Sequence, residues 1–347
     1  MLQESKEVPL SKIIQVGLIG AGRIGQVHAA TIAHRVATAR LAAVTDPQPG
    51  VAQAVAAKFG VPWVAADVQA LLAAPDLDGV LICTPTATHA AIIVAAAAAG
   101  KHIFCEKPIA LNLTETDAAL SAVERAGVQL QLGFNRRFDA NFARVRQAIV
   151  SGEIGTPHIL HIVSRDPAPP PLDYIRSSGG IFLDMAIHDW DIARFLIGSE
   201  IEEVYVQGGV MVDPAIGAAG DIDTHVTLLR FANGVIGTVD NSRRASYGYD
   251  QRVEVFGSAG AIQTANNYPN SSVISTAGAI QRDLPLNFFM ERYADAFAAE
   301  IAAFVDVVAG NTSVPVGGAD GRMALRVGLA AQRSYAERRP VQVGEIG

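Results

Sequence analysis

Within the segment Gly179 to Asp191, three residues have types and spacing that can do chemistry: Asp184, His188 and Asp191, at positions i, i+4 and i+7. On an α-helix such positions lie on one face, so a carboxylate one turn away can orient an imidazole. The pairing raises the basicity of the ring and fixes its tautomer, which suits a general base working near neutral pH. Two other readings use the same letters. An amphipathic helix carries a polar stripe of this kind on its solvent face. Alternatively, Asp184, His188 and Asp191 could offer oxygen and imidazole ligands to a divalent metal, although all three come from one helix and no partner ligands stand out elsewhere. No metal is therefore expected.

A second constellation lies near the start. Gly20-Ala21-Gly22-Arg23-Ile24-Gly25 follows an apolar strand-like run and opens a helical one, the context a dinucleotide fingerprint requires. Gly20 permits a tight turn, Gly22 lets the backbone approach a pyrophosphate and Gly25 allows close helix packing, while the helix N-terminus offers free N–H groups. The next strand ends at Asp46, where a carboxylate can accept hydrogen bonds from ribose hydroxyls. A 2′-phosphate there would meet that charge with no Arg or Lys in Pro47-Gln48-Pro49, so the expected cofactor is NAD. Thr84-Pro85 and Glu106-Lys107-Pro108 fall at later strand ends, the edge of an open α/β sheet where ligands bind. Cofactor contacts are assigned to Gly20, Gly22, Arg23, Ile24, Gly25, Asp46, Thr84, Pro85, His89, Glu106 and Lys107.

The elements that must position these groups follow from hydrophobic patterning. With 347 residues the chain can form two domains, each with its own core. Apolar runs at Ile13–Ile19, Ala39–Thr45, Gly79–Thr84, Lys101–Cys105 and Val128–Gly133 alternate with helical runs at Ile24–Val36, Val51–Phe59, His89–Ala99 and Thr114–Ala126. That alternation predicts a parallel sheet wrapped by helices, with Thr114 and Asp117 capping the last helix. After Phe134 the strands alternate apolar with polar residues, and Asn233-Gly234 marks a hairpin between Thr224–Phe231 and Val235–Asp240. A further strand is expected near Arg252–Phe256, and helices over Arg292–Ala309 and Ala319–Arg338. The fold class is thus α/β: an N-terminal Rossmann NAD-binding domain (1–134) and a C-terminal α+β domain (135–347) with a large, mostly antiparallel open sheet. One apolar face of that sheet needs covering, which predicts a homodimer or homotetramer.

Composition narrows the partners. A net charge of −7 without any Lys/Arg block argues against nucleic acid. No apolar run reaches the roughly 18 residues needed to cross a membrane, and Met1–Lys12 has no h-region, so a cytoplasmic protein is expected. Cys83 and Cys105 lie in apolar runs and read as reduced core residues.

Taken together, Gly20-x-Gly22-x-x-Gly25, Glu106-Lys107-Pro108 and Gly180-x-x-x-Asp184-x-x-x-His188 resemble the glucose-fructose oxidoreductase / inositol dehydrogenase / rhizopine-catabolism family over nearly the whole chain. Gly133 to Asp139, Ser164 to Pro167 and Asp184 to Asp191 resemble its bacterial inositol 2-dehydrogenases. The resemblance implies a catalytic Lys107, Asp184 and His188, with Lys107 touching both nicotinamide and substrate and Glu106 near the nicotinamide ribose. It also implies that Tyr249 contacts substrate, with Arg137, Asp166 and Asp191 as further polyol contacts. Some members carry His where this chain has Ser164, and others in the subgroup have Thr and Phe in place of Ala186 and Trp190. The implied reaction is NAD-dependent oxidation of myo-inositol to its 2-ketone, with His188 as base. Scyllo-inositol, an aldose or an anhydro-sugar are the alternative substrates, and a non-catalytic nucleotide-binding regulator is the remaining alternative.

Overall fold

The computed structural model describes residues 12–347. The expectation that the chain starts without an h-region concerns residues that, Lys12 apart, lie outside those described. The first unit runs β1 (Ile14–Ile19), α1 (Arg23–Arg35), β2 (Ala39–Thr45), α2 (Val51–Phe59), β3 (Trp63–Val64), α3 (Val68–Leu72), β4 (Gly79–Ile82), α4 (His89–Ala98), β5 (His102–Cys105), α5 (Leu113–Ala126) and β6 (Leu130–Leu132). Its strands pair in parallel in the order β3-β2-β1-β4-β5-β6. β4 and β6 are buried at every residue because helices cover both faces of the sheet. The order reverses direction beside β1, so the connections leaving β1 and β4 diverge and open a crevice at the carboxyl edge.

One local expectation is corrected, and two short elements were not foreseen. The cap of α5 is Asn112, whose side chain accepts from the Glu115 N–H at 2.9 Å. Thr114 lies inside the helix. β3 and α3 were not foreseen, since a two-residue edge strand and a five-residue helix are too short to show a period.

The second unit contains α6 (Ala140–Val150), β7 (Pro157–Arg165), α7 (Leu172–Ser178), α8 (Ile187–Ile197), β8 (Ile201–Gly209), α9 (Pro214–Ala218), β9 (Thr224–Phe231), β10 (Ile236–Ser242), β11 (Asp250–Gly257), β12 (Gly260–Gln263), β13 (Val273–Ser275), β14 (Ile280–Arg282), α10 (Phe289–Arg292), α11 (Ala294–Val308), α12 (Gly318–Glu337) and β15 (Val341–Gln342). Seven strands form one sheet in the order β12-β11-β7-β10-β9-β8-β15, antiparallel except where β7 runs parallel to β10. Gly234 takes φ 87° in the foreseen β9–β10 turn. Along β9 buried and exposed residues alternate, as expected of a sheet with one covered face. α8 and α12 pack against that covered face.

The predicted helix over Arg292–Ala309 is interrupted at Tyr293, where Arg292 is held by Asp139 at 2.5 and 3.2 Å. α11 then returns to the first unit, packs on α1, and adds Ile301, Phe304 and Val305 to the core under β1 and β2. Cys83 and Cys105 are free and buried. Among the described residues no helix is long and apolar enough to cross a membrane.

Candidate active site

The three glycines of the fingerprint do different work. Gly20 has φ 93°, and a Cβ there would sit 2.7 Å from the Cys83 carbonyl carbon and oxygen. At Gly25 a Cβ would come within 2.1 Å of the Gly20 carbonyl oxygen, so α1 could not approach β1. A Cβ on Gly22, by contrast, would meet nothing within 4 Å, because this residue faces the open crevice. Gly22 starts α1 without a side-chain cap, which leaves the first N–H groups available to phosphate oxygens. Asp46 accepts from the backbone N–H groups of Ala21 (2.8 Å) and Gln48 (2.9 Å), tying its strand end to the glycine turn. Lone pairs remain on both carboxylate oxygens for ribose hydroxyls. These residues fit NAD: Gly22 would face its phosphates and Asp46 its adenosine ribose.

The remaining cofactor candidates divide into those at the crevice and those that support it. Arg23 is exposed, with its guanidinium 5.8 Å from the Phe288 ring centroid, whereas Ile24 packs on the core. Pro85 is exposed, and the Thr84 hydroxyl accepts from Thr88 at 2.7 Å. His89, assigned from sequence to the cofactor, is buried beneath the turn. Its Nδ1 lies 2.7 Å from the Pro108 carbonyl and its Nε2 2.8 Å from that of Thr84, so it braces one strand end against the next. Glu106 is held by the buried His28, whose Nε2 lies 2.7 Å from Oε1. His28 sits on the fingerprint helix and had no signal beyond that placement.

At the other end of the crevice the two units meet. Lys107 donates from Nζ to the Asp184 carbonyl at 2.7 Å and to its Oδ1 at 3.3 Å. Tyr174 donates its hydroxyl to the same Oδ1 at 2.9 Å, and Arg243 faces Oδ2 at 3.6 Å while reaching Asp221 at 3.4 Å. The single helical face predicted for Asp184, His188 and Asp191 does not exist. Gly179 and Gly180, at φ 89° and 77°, lead into a π-helical turn over Ile181–Met185, and α8 starts only at Ile187. The wider turn displaces Asp184 from the α-helical register, and its carboxylate goes to Lys107 and Tyr174 rather than to the imidazole. Asp191 forms a bidentate pair with Arg137 at 2.9 and 2.6 Å, so the three side chains share no common point for a metal either.

His188 Nδ1 is buried without a hydrogen-bond partner, and the ring meets Phe134 edge-on at 6.0 Å. Burial, with the positive charges of Lys107 and then Arg136, holds the imidazole pKa well below its usual value. The ring is neutral at physiological pH and can accept a proton.

The expected polyol contacts separate in the same way. Asp166 is half-buried, and desolvation, opposed by Arg243 and reinforced by Asp184, pushes its carboxyl up to about 7. Tyr249 is buried against Tyr293, ring centroids 6.0 Å apart, and burial raises its phenol so that it stays a donor. Arg137 spends its donors on Asp191, Asp320 and the Pro315 carbonyl, with its guanidinium over Phe195. It therefore anchors α8 to α12. Sequence reasoning missed the buried Arg136–Asp189 pair, which Asn241 and Ser164 extend, together with Tyr174, Asp221 and Arg243. Arg136 and Asp189 each adjoin a named candidate, and that adjacency was the available signal.

Comparison with known proteins gives the family. Residues 14–134 match the GFO/IDH/MocA oxidoreductase family with an NAD-binding Rossmann fold, and residues 142–263 match the GFO/IDH/MocA C-terminal domain. The chain belongs to this family. Family membership makes it an oxidoreductase with NAD as cofactor. It is similar to the myo-inositol 2-dehydrogenase of Thermotoga maritima (46% identical, covering 96% of this chain and 99% of that one). It is likewise similar to the inositol 2-dehydrogenase of Rhizobium meliloti (47% identical, 95% and 99% covered). Among solved structures, a probable dehydrogenase from Thermotoga maritima superposes with TM-score 0.94 at 46% identity, covering 96% of this chain and all of that one. A scyllo-inositol dehydrogenase from Lactobacillus casei, with bound NAD(H) and scyllo-inositol, superposes with TM-score 0.90 at 31% identity, covering 96% of this chain and 100% of that one.

Proposed function

We propose that this chain oxidises one secondary alcohol of a cyclic polyol to the ketone, with myo-inositol, giving 2-keto-myo-inositol, as the preferred substrate. The observation carrying the proposal is the junction of Lys107 from the first unit with Asp184 and the neutral His188 of the second. When bound, NAD supplies the hydride acceptor at its nicotinamide. His188 takes the proton of the reacting hydroxyl through its free lone pair, and Lys107 donates a hydrogen bond to the oxygen as negative charge builds on it. Asp184 holds the ammonium in position and Asp166 accepts hydrogen bonds from neighbouring hydroxyls. The inositol substrates named for the relatives support the substrate class.

Scyllo-inositol is the second reading. It is favoured by the likeness to the Lactobacillus casei enzyme. Here Ser164 is buried and bonded to Arg136 (3.0 Å) and Gln251 (3.1 Å), so it adds nothing to the hydroxyl-binding surface. A panel of inositols and aldoses assayed with NAD and NADP, following absorbance of the reduced cofactor, tests the proposal. Turnover of myo-inositol with NAD is expected, and absence of turnover with every polyol sinks it.

Asp166 gives this reading a pH signature. Its carboxyl titrates at about 7, so it is ionised and accepts hydroxyl hydrogen bonds above that pH and loses this capacity as pH falls through 7. KM for the polyol should rise about tenfold per pH unit below that point, and Asp166→Asn should flatten the dependence between pH 6 and 8. An unchanged slope in the variant removes Asp166 from the substrate site.

We also propose that the outer face of the large sheet is covered by a second copy of the chain. Phe256, Ile159 and Ile236 form one row across β11, β7 and β10, and exposed Val226 and Leu228 extend the apolar area over β9. Sedimentation at micromolar concentration should give a multiple of 36.4 kDa, whereas a monomer would refute the proposal.

A further inference from the structure

The proline-rich segment Pro167–Pro171 leads directly into α7. Tyr174 on that helix is 49% exposed, yet its hydroxyl lies 2.9 Å from Asp184 Oδ1, the oxygen that also faces Lys107 Nζ at 3.3 Å. An exposed tyrosine usually points its hydroxyl to water. This one turns inward, to the carboxylate beside the proposed reacting centre. The other donors around Asp184 are enclosed: the Lys107 side chain is 14% exposed and that of Arg243 1%. Of these donors Tyr174 alone keeps a large open surface.

A phenol has one proton and two acceptor lone pairs. The proton is committed to Asp184. Burial of the hydroxyl and the nearby Asp184 charge push its pKa upward, so it stays a donor across the working pH range. The lone pairs remain to accept from a ligand hydroxyl. The ring offers a flat apolar face, and a chair-form cyclohexane polyol presents flat C–H faces wherever its hydroxyls are equatorial. An axial hydroxyl on the covered face would hold the carbocycle away from such a ring.

We infer that Tyr174 is a substrate-contacting residue that sets isomer preference: its oxygen accepts from a hydroxyl next to the reacting carbon, and its ring packs on a C–H face. The inference rests on the cyclic-polyol reading above. It is tested with Tyr174→Phe and Tyr174→Ala, each checked for folding by thermal unfolding and for NADH binding by fluorescence titration. At this exposed position both variants should fold and bind NADH within twofold of wild type. Tyr174→Phe should raise the KM for inositol about fivefold with kcat within threefold. Tyr174→Ala should raise it at least tenfold and change the myo- to scyllo-inositol ratio of kcat/KM at least fivefold. Wild-type KM values and isomer ratio in both variants would overturn the inference, as would a fall in kcat at constant KM, which would mean that the hydroxyl acts on Asp184 alone. Failure of the wild type to turn over any inositol would instead sink the functional reading.

Discussion

Replacing His188 with alanine lowers polyol turnover at least ~100-fold while NADH binding stays within about twofold of wild type. The loss corresponds to removing about 2.7 kcal/mol of transition-state stabilisation, the scale of one positioned general base. The geometry makes the two readouts separable. His188 stands on α8 in the second unit, facing Phe134 and the Lys107 charge, whereas Gly22 and Asp46, the proposed phosphate and ribose contacts, lie at the edge of the first sheet. The lowered pKa keeps the ring unprotonated at physiological pH, with a lone pair free to accept, although no carboxylate raises its basicity. Asp184 contributes by holding Lys107 instead, and Asp184→Asn should therefore act through the lysine. Turnover unaffected by His188→Ala would remove this residue from the base role, and retained turnover with weakened NADH binding would make it a cofactor contact.

What the sequence made legible, and what it hid, follows from the range of the forces involved. The first unit was readable because strands buried on both faces are written as continuous apolar runs. The roles of its glycines are steric and local: Gly20 and Gly25 have no room for a Cβ, and Gly22 opens on the crevice. Asp46 was legible for the same reason, since it closes a strand next to the turn it serves. The polar stripe of Asp184, His188 and Asp191 was misread because an α-helical period was assumed across a π-helical turn set up by Gly179 and Gly180. Once the register shifts, each carboxylate is captured by a cation far away in sequence. Asp184 takes Lys107, 77 residues earlier, and Asp191 takes Arg137, 54 residues earlier. No local period encodes such partners. The same holds for Arg243 and Asp221, brought beside Asp184 by the chain entering β9 and leaving β10, and for α11, whose return to the first unit cannot be read from its own amphipathic pattern.

Lys107→Met should lower turnover by about three orders of magnitude, the largest effect expected from any single change in this site. Methionine keeps most of the stem that fills the junction and removes the ammonium, so the fold should survive while both electrical tasks of the lysine are lost. On the proposed mechanism the first task is stabilisation of the alkoxide in a poorly screened crevice, where a fixed charge is worth more than in water. The second concerns the base. The Lys107 charge is one cause of the lowered His188 pKa, so removing it lets that pKa rise toward its ordinary value. A base that protonates at higher pH is disabled earlier as the solution is acidified. The residual kcat/KM of Lys107→Met should therefore fall off at a higher pH than that of the wild-type protein. Lys107→Arg keeps the charge, and its profile should fall off where the wild type does, even if the bulkier guanidinium slows the reaction. Stopped-flow measurement of cofactor reduction between pH 5 and 9 distinguishes these outcomes. A Lys107→Met variant with wild-type turnover would show that the meeting of the strand-end ammonium with Asp184 and His188 has no part in the chemistry. If turnover fell without any displacement of the profile, the alkoxide role would stand and the electrostatic control of His188 would fall.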